Sequence, residues 1–108
     1  FKLRLYEDYR ELLAQEDIDV VVIASPNFTH IEVMRELFKT DKHVLLEKPM
    51  CTNLSDGIEV LEKSKKHKGV VWIGLEYRFM SPIQSLINHV NEIGNIKMLS
   101  IELIKLEN

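Results

Sequence analysis

The chain has 108 residues, enough for one small domain with a core of its own. Hydrophobic residues make up 45% and charged residues 29%, which sets it apart from disordered chains, and no apolar run reaches membrane-spanning length. The formal net charge of −3 argues against nucleic acid or an anionic membrane surface as a partner.

The single cysteine, Cys51, can form no internal disulfide, so a reducing, cytoplasmic setting is expected, and no signal-peptide pattern is present. Phe1 is not an initiator methionine, and residues 1–5 read as the tail of a strand already under way. Asn108 closes a strand-like run without a cap. The chain is therefore expected to be an interior piece of a longer protein.

Residues 7–15 predict a short helix, with Tyr9, Leu12 and Leu13 on one face and acidic residues at its start. The β-branched run of residues 20–24, VVVIA, predicts a parallel strand buried on both faces, broken by Ser25-Pro26-Asn27. A helix follows, with Thr29 as N-cap, Glu32 completing a capping box, and Phe28 and Val33 at hydrophobic-staple spacing. Its buried stripe is Val33, Met34, Leu37 and Phe38.

The next strand, HVLLEKPM (residues 43–50), changes character abruptly. The run Val44-Leu45-Leu46 is apolar, Glu47 and Lys48 are opposite charges, and Pro49 forbids the ladder from continuing and holds Lys48 extended. Alternation along the strand sends Glu47 and Lys48 to opposite faces, so they are not expected to pair. A third helix is predicted with Ser55 as cap, Ile58 and Leu61 inward, lysines 63, 65, 66 and 68 at its C-terminal end and Gly69 as C-cap. Those lysines read as a solvated helix end, not a nucleic-acid patch. Residues 70–75, VVWIGL, predict another buried strand ending in Glu76-Tyr77-Arg78. A fourth helix opens at Ser81-Pro82 with Gln84 as capping-box residue, places Ile83, Leu86, Ile87 and Val90 inward and stops at Gly94. Residues 96–106 predict a last strand.

Strands joined by helical crossovers predict an α/β fold with a parallel sheet and right-handed connections. Parallel strands bring their C-terminal ends to one rim, so the loops at Ser25, at Glu47 and at Glu76 are expected to converge there, where open α/β sheets place ligands. Four histidines without paired spacing predict no metal site, Cys51 reads as packing, and Trp72 and Phe79 read as core.

The run S-P-N-x-x-H (Ser25 to His30), then HVLLEKPM, then V-V-W-I-G-L-E-Y-R-F, then a helix ending E-I-G-N-I, resembles the glucose–fructose oxidoreductase/inositol dehydrogenase (Gfo/Idh/MocA) family from about Leu5 to the end. The resemblance implies a partial, Rossmann-like, doubly wound parallel sheet lacking its first βαβ unit, and a nicotinamide-dependent oxidoreductase acting on a sugar, polyol or related hydroxyl or carbonyl substrate. It implies that Lys48 lies beside the nicotinamide and the reacting oxygen as the catalytic residue, and that Glu47 shapes the nicotinamide pocket. Pro26 and Asn27 would run along the nicotinamide ribose and pyrophosphate, His30 would pack near them, and Arg78 would reach the nicotinamide end. Ser25 and Pro49 complete the cofactor-binding set. The chemistry suits an ammonium, which lowers the pKa of a reacting hydroxyl and stabilises a developing alkoxide in the reverse direction.

The four glycines form no G-x-G-x-x-G, and the residue that would read the adenosine ribose is missing, so NAD and NADP are not separated. On this reading residues 1–95 are the second half of a dinucleotide-binding domain, and residues 96–108 are the first strand of a substrate or oligomerisation domain. An active homo-oligomer is expected of the parent, and edge pairing between copies of the chain itself. Two alternatives compete. One is a non-catalytic assembly or regulatory module. The other is a receiver-like signalling domain, disfavoured because Asp17 and Asp19 lie at the wrong end of their strand.

Overall fold

The computed structural model describes residues 3–15 and 17–100. Strands β1 (Val20–Ile23), β2 (His43–Leu46) and β3 (Val71–Ile73) pair in parallel in the order β1-β2-β3. Helices α1 (Tyr9–Leu13), α2 (His30–Leu37) and α3 (Leu54–Ser64) alternate with them, as the hydrophobic patterning predicts. Two compact units divide the chain, Phe1–Leu75 and Glu76–Asn108.

In the first unit the register sets Val21, Val44 and Val71 in one row, and Ile23, Leu46 and Ile73 in the next. Period-two alternation turns both rows to the same face. That face packs on Leu13 of α1, Met34 and Leu37 of α2 and Val60 of α3. The expectation of strands buried on both faces is corrected: all three helices lie on one side, and Val20, Val22 and Trp72, from the alternate positions, stay about half exposed. Phe79, in the second unit, is likewise 59% exposed and not core. β1 is an edge of the described sheet, as expected.

Several helix ends differ from expectation because the competing side chain reaches the backbone better. Asp8 caps α1, its carboxylate accepting the Arg10 N–H at 2.8 Å. Thr29 holds the N-cap position of α2, but its hydroxyl donates back to Pro26 O at 2.7 Å and caps nothing, and Phe28 is 70% exposed, so neither capping box nor staple forms. Asn53, not Ser55, caps α3 by accepting the Asp56 N–H at 2.9 Å. Val60 is the residue of α3 that is fully buried, whereas Ile58 and Leu61 are half exposed.

Gly69 is not a C-cap, since α3 ends at Ser64 with Lys65 as its cap. Its task is close approach: an added Cβ would stand 2.4 Å from the carbonyl oxygen of Lys42. Gly94 does end α4 (Ser81–Ile93), at φ +78°. Met80 is the N-cap of α4, and Gln84 does not close a capping box; its amide donates to the Arg78 carbonyl. Residues 3–5 and 96–100 carry no strand, and residues 101–106 of the last predicted strand lie outside the described residues.

An ion-pair cluster clasps α2 to α3. Arg35 Nη2 lies 2.6 Å from Glu59 Oε2 and 3.5 Å from Asp56 Oδ1, and Lys63 Nζ lies 2.8 Å from Glu59 Oε1. Hydrogen bonds from Arg35, then Lys63, hold the Glu59 carboxyl down at about 2. Because the folded value is depressed, the stabilisation is fully present above about pH 4.3, the ordinary glutamate value, and is lost as pH falls towards about 2. Glu59→Gln is therefore expected to flatten the acid limb of stability between those limits, read from urea midpoints against pH. An unchanged limb would show that the cluster is screened out by solvent.

Candidate functional site

The C-terminal ends of the strands form the candidate rim. The ladder runs on past the strands themselves: the Glu47 N–H donates to Ile23 O at 2.9 Å and the Gly74 N–H to Leu46 O at 2.7 Å. Pro49, with no N–H of its own, then takes the chain out of the sheet after a cis Lys48–Pro49 bond. Glu47, Lys48 and Pro49 are all exposed at this edge. Glu47 and Lys48 form no side-chain ion pair, as expected; the Glu47 carboxylate accepts the Lys48 backbone N–H at 3.2 Å.

Gly74, just past β3, stands beside the Glu47 carboxylate: a Cβ there would lie 3.4 Å from it, an ordinary van der Waals distance.

On the neighbouring strand, Ser25 and Pro26 lead into one 3₁₀ turn, Asn27–Thr29, which runs directly into α2. The Thr29 hydroxyl spends its proton on Pro26 O, so the Ser25 hydroxyl donates to Thr29 Oγ1 at 2.7 Å. This loop is held by its own side chains, with Asn27 exposed on the turn. Beneath it lies His30, 1% exposed, with Nε2 2.9 Å from Ser25 O and Nδ1 3.0 Å from Pro49 O.

Seven of the eight expected site residues thus lie at one end of the sheet: Ser25, Pro26 and Asn27 after β1, Glu47, Lys48 and Pro49 after β2, and His30 at the start of α2, its ring facing a carbonyl of each group. Arg78 belongs to the second unit, exposed on the 3₁₀ turn Glu76–Phe79. The rim offers an ammonium that can hydrogen-bond a substrate oxygen, a carboxylate that can accept from an amide, and the amide side chain of Asn27 on the neighbouring loop. This donor set fits a nicotinamide nucleotide, whose carboxamide and sugar hydroxyls need such partners. Among the described residues no group of three His, Cys, Asp or Glu could hold a metal ion, and no helix is long and apolar enough to cross a membrane.

Residues 1–75 match the family model described as "Oxidoreductase family, NAD-binding Rossmann fold". The chain is 34% identical over 76 residues to myo-inositol 2-dehydrogenase of Thermotoga maritima, covering 70% of this chain and 23% of that protein. It superposes on the crystal structure of a probable dehydrogenase from Thermotoga maritima with a TM-score of 0.74 at 32% identity, over 81% of this chain and 26% of that one. Levoglucosan dehydrogenase in complex with NADH and levoglucosan gives a TM-score of 0.76 at 25% identity, over 81% of this chain and 24% of that one. The chain spans about a quarter of the length of the curated relatives it matches.

Proposed function

We propose, for a chain that belongs to the Gfo/Idh/MocA family of oxidoreductases with an NAD-binding Rossmann fold, that its strand-end rim is the nicotinamide side of an NAD(P) cleft. Lys48 is its catalytic residue. The observation that carries this reading is the placement of Lys48 at the exposed end of β2, beside the Ser25-Pro26-Asn27 loop and tied to it through His30. Ser25, Pro26, Asn27, Glu47 and Pro49 would line the cofactor.

The bound dinucleotide supplies the hydride acceptor or donor. Lys48 donates a hydrogen bond to the substrate oxygen. In the oxidative direction its charge favours loss of the hydroxyl proton, and in the reductive direction it stabilises the alkoxide that forms. Glu47, exposed at the same strand end, would orient the carboxamide by accepting its N–H. The substrate is a sugar, a polyol or a related hydroxyl or carbonyl compound, a reading supported by the activities named for the inositol and levoglucosan dehydrogenases. The whole protein works as a cytoplasmic homo-oligomer, of which this chain is the part that carries the rim.

The test is a titration of the full protein with NADH and NADPH, followed by thermal shift. At a hundred times Kd a ligand specific for the folded state adds about 2.7 kcal/mol, which moves the midpoint by several degrees. Absence of a shift with both nucleotides at millimolar concentration would sink the reading.

A further inference from the structure

His30 stands at the first position of α2 and shares a buried stripe with Met34 and Leu37, both wholly inaccessible to solvent. Its ring is therefore fixed by the packing of a whole helix. Both ring nitrogens face backbone carbonyls, Ser25 O at 2.9 Å on one loop and Pro49 O at 3.0 Å on the other. Carbonyls only accept, so the ring donates; singly protonated it can satisfy one carbonyl, and doubly protonated both. Pro49 is the residue next to Lys48, and Ser25 opens the loop that carries Asn27.

We propose that His30 is a positioning residue for Lys48: it is buried under the rim, acts through the backbone and not on a ligand, and transmits the place of α2 to the two neighbouring loops, at Ser25 and at Pro49, whose carbonyls its ring faces. This rests on the assignment of Lys48 above. It also explains why a histidine is buried here: a side chain of this shape without a donor could make neither contact with the two loop carbonyls.

The substitution His30→Phe keeps the ring shape and removes both N–H donors. In the full protein, amide hydrogen exchange is expected to accelerate about tenfold over residues 25–29 and 47–51, the effect of losing a buried hydrogen bond or two, with residues 58–64 of α3 unchanged. With NAD⁺ and myo-inositol as probes, kcat falls about tenfold in the Lys48 protein and no further in a Lys48→Met background. Equal acceleration throughout α3, or a kcat loss of the same size in both backgrounds, would overturn the proposal by showing general destabilisation. If His30→Phe does not fold, His30→Gln, which retains N–H donors, takes its place; a smaller loss confined to the Lys48 background supports the proposal, and an equal loss in both overturns it. The exchange measurement does not depend on catalysis. Local loosening in a protein indifferent to Lys48→Met therefore condemns the catalytic assignment and not the tie.

Discussion

Lys48→Met should lower turnover by about 10²–10⁴-fold while NADH affinity changes less than about threefold. The side chains are similar in length and neither is branched, so the substitution removes the charge with little change in packing. Lys48 is exposed at the rim and has no part in the core, which leaves folding untouched. A loss confined to kcat marks an interaction made in the transition state, where charge develops on the substrate oxygen. A rise in KM with kcat intact would instead make Lys48 a binding residue, and an unchanged protein would remove it from the site. The arginine variant is an informative companion: it keeps the charge but carries it on a planar fork, and is expected to recover only part of the rate.

The second large effect concerns the support beneath that lysine. Leu46 is wholly buried, flanked by Ile23 and Ile73 in the sheet, and belongs to the cluster with Met34, Leu37 and Val60. Leu46→Ala is expected to cost about 2–5 kcal/mol, the sum of lost transfer free energy and a residual cavity. Set against a total stability of about 5–15 kcal/mol, this is a large share of what holds the unit together. Leu46→Met, which nearly conserves volume, should cost less than about 1.5 kcal/mol. Urea midpoints at constant m-value distinguish the two. Because Leu46 immediately precedes Glu47, the alanine variant should also loosen the rim, and a variant as stable as the parent would show that α2 collapses onto the vacated space.

The elements nearest to their predicted positions are those whose signals are local. VVVI and VLL are short apolar runs ended by a loop or a proline; β1 forms within a residue of expectation, and β2 starts at His43 as expected but stops at Leu46, before Glu47-Lys48-Pro49. Gly94 adopts positive φ where only its missing Cβ makes that conformation easy. The helix caps fared worse, because Ser55 and Asn53 lie two residues apart and both are good caps; local spacing does not choose between them. Gly69 likewise resembles a helix stop, yet its glycine is demanded by the Lys42 carbonyl, 27 positions earlier in the chain.

The candidate site divides along the same line. The chain by itself determined the chemistry at the end of β2: a carboxylate, an ammonium and a proline in succession, with the proline ending the ladder because it has no N–H to give. Only the tertiary structure decided what that chemistry rests on. The partners of the His30 ring come from 5 and 19 positions away, and the neighbour of the Glu47 carboxylate, Gly74, comes from 27 positions on, past the end of β3. Such contacts depend on strand order and helix placement, and these follow from which apolar faces bury one another, a choice made by the whole chain and by no short stretch of it.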